Sequence, residues 1–131
     1  MKMLLDTHAF LWSVLAPARL SDNARLALQD RHNQVFVSSV TFWEIALKAS
    51  LGKLTLHGCT PEALVDAAAV QGFELLGLDP ATAATSANLP RQPDHCDPFD
   101  RMRMWQAIRG GMALVSCDER ILGSSALQVI W

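Results

Sequence analysis

Short apolar runs alternate along the chain with longer stretches in which apolar residues return at helical spacing. The runs Lys2–Leu5, Gln34–Ser38, Phe73–Gly77, Met112–Ser116 and Leu127–Ile130 predict strands. Strands separated by helical patterns are the signature of βαβ units and a parallel sheet. Helix starts fall between them at Ser21, at Thr60 before Pro61, at Asp79 before Pro80 and at Asp97 before Pro98. Each offers a side-chain oxygen to the first-turn amides, and three have proline at the first helical position, where its missing N–H costs nothing. Gly52 and Gly110–Gly111 stand where two helices should stop. Leu89–Cys96, broken by Pro90 and Pro93, reads as a loop. With no repeat, low-complexity segment or linker, residues 1–131 read as a single doubly wound α/β domain.

In an open parallel sheet, ligands bind beyond the carboxyl ends of the strands, near the point where strand order reverses. Asp6 closes the first strand in MLLDTHAF, and Asp118 lies two residues past the fourth in ALVSCDERI. SSVTFWEIALKASLGKL follows the second strand and carries Glu44, while DPFDRMRMWQA opens a helix with Asp97 and Asp100. Five of the 13 acids are thereby expected on one edge, from four segments. Each also has an ordinary reading. Asp6, Asp97 and Asp118 suit helix or turn caps, and Glu44 can pair with Lys48 one helical turn on. Phe42, Trp43, Ile45, Ala46 and Leu47 nevertheless leave the Glu44 helix little solvated face, so an acid there needs a partner.

Carboxylates gathered a few ångströms apart cannot all stay ionised without a cation. No cluster of Lys or His accompanies them, which makes a divalent ion the expected counterion. An all-carboxylate set suits Mg²⁺ or Mn²⁺ rather than Zn²⁺. His8, His32, His57 and His95 lack a paired helical spacing; His8 and His95, near the acidic edge, are expected at most to support the ligands. A hard ion on carboxylates activates water and offsets charge on a phosphate, so phosphodiester hydrolysis is the leading chemistry.

Composition narrows the partners. A net charge of −2, with 18% charged residues, supplies no bulk positive field for a polyanion, so any such substrate must be bound locally or through metal. Arg101, Arg103 and Lys48 share helices with the acids and are expected to flank the groove, the alternative for Arg103 and Lys48 being a pair with a nearby acid. Three cysteines without paired spacing point to a reducing compartment. The opening MKMLLDTHAF breaks at Asp6 without a small-residue cleavage site, and no apolar run spans a bilayer, so a soluble, unexported, cytoplasmic protein is expected.

These motifs resemble those of the PIN-domain nucleases, specifically VapC-like toxins of bacterial toxin–antitoxin pairs. The resemblance runs through LLDTHAFLW, SSVTFWEIALKASLGKL, DHCDPFDRMRMWQAI, ALVSCDERI and the closing LQVIW. It implies a three-layer α/β/α fold with a central parallel sheet of four to five strands, cleavage of RNA dependent on Mg²⁺ or Mn²⁺, and inhibition by a small VapB-like antitoxin. Carried over, the catalytic acids are Asp6, Glu44, Asp100 and Asp118. The metal falls to Asp6, Asp100 and Asp118, with Asp97 of DPFD either a further ligand or a cap. Cys96 departs from the arginine that precedes DPFDR in many relatives, which weakens a local phosphate contact.

The resemblance also implies a homodimer. Phe10, Trp12, Phe42, Trp43 and Trp105 exceed what one small core needs, although Trp43 itself is expected to be buried. Other folds that gather acids on a sheet edge fit less well. A receiver domain needs a lysine after the last inner strand, and none follows Lys53; a haloacid-dehalogenase-like phosphatase needs an Asp where His8 stands. The competing reading from another class is a catalytically silent PIN-like module that binds RNA or protein.

Overall fold

The structure, a computed structural model, describes residues 1–94 and 96–131. Five strands form one parallel sheet: β1 (Lys2–Leu5), β2 (Gln34–Ser38), β3 (Glu74–Leu76), β4 (Ala113–Val115) and β5 (Val129–Ile130). Their order is β3-β2-β1-β4-β5, so the chain builds outward from β1 on one side and then returns to its other side. The switch point lies between β1 and β4, whose registers set Leu5 opposite Val115. The first two strands match their predicted bounds. The last three are shorter by one or two residues at their ends.

Seven α-helices connect and cover the strands: α1 (Thr7–Leu15), α2 (Asp22–Gln29), α3 (Ser39–Ser50), α4 (Pro61–Val70), α5 (Pro80–Thr85), α6 (Pro98–Gly110) and α7 (Glu119–Leu122). Ser21, Thr60, Asp79 and Asp97 all accept from first-turn amides, as their sequence positions predict. Gly111 ends α6 at φ 64°, a left-handed conformation that a side chain would resist.

Alternation along the strands splits the core into two layers. Met3, Leu5, Val35, Val37 and Val115 face Phe10 of α1, Ala24 of α2, Ile45 of α3 and Leu64 and Ala68 of α4. Leu4, Phe36 and Leu114 face the other way, onto Met104 and Ala107 of α6 and Ile121 of α7. A parallel sheet covered on both faces explains why its strands read as unbroken apolar runs. The outcome is a three-layer α/β/α fold. Among the described residues no helix is long and apolar enough to cross a membrane.

The aromatic residues divide differently from expectation. Phe10 is fully buried, whereas Trp43 is 62% exposed. Trp43 stands with Leu47 and Leu51 along one exposed line of α3 and its extension, and its ring meets Phe99 edge-on at 5.0 Å. The Glu44 helix therefore has a solvent face after all, and that face is apolar. Side chains one turn apart lie one above the other, so the core-facing set of α3 is Val40, Thr41, Glu44 and Ile45 instead.

Candidate active site

The acid nearest the switch point is Asp6, the first residue past β1. Its backbone N–H donates to the Val115 carbonyl at 3.1 Å, which carries the β1–β4 pairing one residue beyond the strand. Its carboxylate caps α1 by accepting from the Ala9 N–H at 2.7 Å, and it also accepts from the Ser116 hydroxyl. Ser116 in turn accepts from the Asp118 N–H at 3.1 Å. One buried serine thus links the two carboxylate-bearing ends of neighbouring strands. Burial pushes the Asp6 carboxyl above its ordinary value, against the pull of Ser116, Ala9, Arg103 and His8. A buried carboxylate in that condition gains from any further cation.

Glu44 and Asp100 come from facing helices. Glu44 Oε1 accepts from Thr7 Oγ1 at 2.5 Å and from Arg103 Nη1 at 2.6 Å, while Oε2 takes the Lys48 ammonium. Arg103 Nη2 reaches Asp100 Oδ1 at 2.5 Å. Burial would raise the Glu44 carboxyl, but the Arg103 charge and the donors Lys48, Thr7 and Arg103 outweigh it and hold the group below its usual range. Arg103 itself is 1% exposed. The absence of an internal cation, expected from the scatter of Lys and His, does not hold: Arg103 sits inside the acid cluster.

Asp97 is the cap of α6, accepting from Phe99 N at 2.9 Å and Asp100 N at 3.0 Å. Asp118 caps α7 and accepts from both Nε and Nη2 of Arg120, at 3.1 and 2.8 Å. Arg120 is held protonated above its ordinary value by Asp118, with Asp100 and Asp97 adding to the same field. The α6 acids and Asp118 therefore share one edge of the sheet. Since Asp97 acts on the backbone, Asp97→Ala is expected to lower stability by about 1 kcal/mol, while Asp97→Asn keeps both cap and melting temperature; thermal melts of the two variants check this.

Of the three expected substrate contacts, Lys48 is about one-third exposed and faces Glu44. Arg101 donates to the carbonyls of Leu89 and Pro90, which fastens the Pro-rich loop to α6. Arg103 is sealed inside, so for it the pairing alternative is the one realised. His8 is exposed and lies against Trp12. His95 lies outside the described residues. Thr7, Ser116 and Arg120 belong to the site without being singled out by the sequence. Each adjoins a carboxylate within two residues along the chain or one helix turn in space, but hydroxyls and surface arginines of that kind carry no distinctive spacing.

The donor set is all oxygen, as a hard divalent ion requires. Among the described residues no three Asp, Glu, His or Cys side chains converge closely enough to hold an ion by themselves. Mg²⁺ keeps most of its water and takes one or two carboxylates plus substrate phosphate, so Asp6 with a neighbouring aspartate fits it.

The family model described as PIN domain matches residues 3–123. Solved structures with the same fold include a chain of VapBC2 from Rickettsia felis bound to a DNA fragment from its promoter. It has TM-score 0.71 and 15% identity, with 98% of this chain and 97% of that one covered. DNA-bound VapBC from Salmonella typhimurium gives 0.66 and 21%, covering 98% and 96%. VapC20 from Mycobacterium tuberculosis, a sarcin–ricin loop cleaving toxin, gives 0.56 and 17%, covering 96% and 98%. At these identities the likeness is one of fold. No curated protein matches the sequence closely enough to count as a relative.

Proposed function

The chain belongs to the PIN domain family, and from that premise we propose that it is a metal-dependent endoribonuclease, the toxin of a toxin–antitoxin pair. The observation that carries the reading is that Ser116 joins the Asp6 carboxylate to the Asp118 backbone N–H at the β1–β4 switch point, with Asp100 and Asp118 both in the field of Arg120. The toxin–antitoxin assignment draws on the VapBC complexes and on the RNA-cleaving VapC20 among its structural neighbours. The activity would reside in one domain spanning residues 1–131 and act in the cytoplasm. A homodimer and a VapB-like antitoxin are the proposed protein partners, and the apolar line of Trp43, Leu47 and Leu51 offers contact area of the right character.

In this reading Asp6, with Asp100 or Asp118 beside it, would hold Mg²⁺ or Mn²⁺, which when bound would supply an acidified water and offset charge on the scissile phosphate. The protein's own part is positional. Ser116 and the Ala9 amide fix the Asp6 carboxylate, so its rotamer is set before substrate arrives. Asp97 satisfies the first-turn amides of α6, so capping does not fall to Asp100. The positive end of α6 favours an ionised carboxylate there. Glu44, bound to Thr7, Lys48 and Arg103, ties α1 and α6 to α3 and keeps the edge from spreading. Lys48 and Arg101 are proposed to meet backbone phosphates at the rim.

The test is turnover of a generic single-stranded RNA by purified protein stripped with EDTA. We expect no cleavage until Mg²⁺ or Mn²⁺ is returned. Full cleavage with metal demonstrably absent overturns the mechanism, and RNA binding without cleavage under any metal favours the silent binding module.

A further inference from the structure

Arg103 is the cation that the fold buries outright among the described residues, and it lies among acids rather than at a surface. Its guanidinium spans two helices, giving Nη1 to Glu44 of α3 at 2.6 Å and Nη2 to Asp100 of α6 at 2.5 Å. Its Nε–H is buried with no hydrogen-bond partner among the described residues. Leaving a buried donor unpaired is costly, so the position is not one that packing alone would favour. What the site gains is a fixed positive charge between two carboxylates that would otherwise repel. Arginine suits the place because its rigid planar fork presents Nη1 and Nη2 to the two carboxylates at once.

Glu44 is as fully engaged from its own side. Oε1 is shared by Thr7 and Arg103 and Oε2 is taken by Lys48, so each of its oxygens already has at least one strong donor. An ion entering between Glu44 and Asp100 would have to displace the guanidinium from both. We propose that Arg103 is a positioning residue that stands in the acid site in place of a second divalent ion, so that this chain takes up one ion where the acids alone would hold two. The inference rests on the metal-dependent reading above and specifies how many ions it involves. The single ion belongs on the Asp6 side of the cluster, away from the bridge to Glu44.

The test is ion counting with Mn²⁺ alone, by electron paramagnetic resonance of free Mn²⁺ during titration of the intact chain, together with thermal melts. The wild type should bind one Mn²⁺ per chain. Arg103→Met, close in volume and without charge, should bind two, and Arg103→Lys, which keeps the charge, should remain at one. Because Arg103→Met exposes two carboxylates to each other, it is expected to melt lower without metal. Mn²⁺ should then raise its melting temperature further than that of the wild type, and a variant unfolded without metal should fold when Mn²⁺ is added. Two ions on the wild type, one ion on folded Arg103→Met, or equal stabilisation of both proteins by Mn²⁺ overturns the inference. If the wild type binds no Mn²⁺ and cuts no RNA, the metal-dependent reading fails and takes this inference with it. If it cuts RNA with one ion and Arg103→Met also takes one, only the inference fails.

Discussion

Asp6→Asn is expected to lower RNA cleavage by about a thousandfold or more, equivalent to about 4 kcal/mol of transition-state stabilisation, while the protein stays folded. The substitution preserves shape and capping ability, so the Ala9 amide keeps its acceptor and α1 its start. It removes only the charge. Because burial holds the Asp6 carboxyl above its ordinary value, ionising this group costs stability in the folded state. Its contribution is therefore full below the unfolded value near 3.8 and is lost as pH rises through the raised folded value. Without metal, Asp6→Asn should match the wild type in melting temperature at acid pH and exceed it near neutrality. A variant that is inactive because it is unfolded, or one less stable than the wild type at neutral pH, would show that Asp6 is structural.

Arg103→Ala should have the largest effect on stability, roughly 3–5 kcal/mol, as for other buried pairs broken on one side. For a chain of this length that corresponds to a fall of roughly 10–20 °C in melting temperature. Both Glu44 and Asp100 lose their shared guanidinium, and Glu44 is left with Thr7 and Lys48 alone. The pH dependence has the opposite sign to that of Asp6. Glu44 is held below its ordinary 4.5, so its stabilising share is present above that value and lost as pH falls through the folded one. Denaturant titrations should accordingly show the gap between wild type and Arg103→Ala narrowing in acid. A gap that is small at neutral pH, or indifferent to acid, would mean that the Arg103 bridge contributes little.

The fold was legible because its signals are local and agree with one another. Apolar runs such as Met3–Leu5 and Val35–Val37 are two-sided, which only a covered parallel sheet explains. The caps at Ser21, Thr60, Asp79 and Asp97 each depend on one side chain and the three residues after it. The edge on which the acids gather follows from strand direction, which chain order supplies. What stayed hidden is pairing across elements. Arg103 in RMRMWQA admits either a place on the flank of the groove or a pair with a nearby acid, and nothing in its sequence neighbours tells that Glu44, 59 residues away, faces it. Trp43 departs from expectation for a related reason. When nearly every residue of a helix is apolar, periodicity cannot say which side faces the core, and here the core-facing turn carries Glu44 while the tryptophan stands outside.

We propose that Asp6 and its neighbouring aspartates form the ion-binding centre of an RNA-cleaving site. Crystals soaked in Mn²⁺ and measured for anomalous scattering test it most directly. One peak per chain is expected, about 2.0–2.3 Å from carboxylate oxygens of Asp6 and of Asp100 or Asp118. A peak seated elsewhere, or none on these oxygens in a preparation whose RNA cleavage survives EDTA, would contradict it.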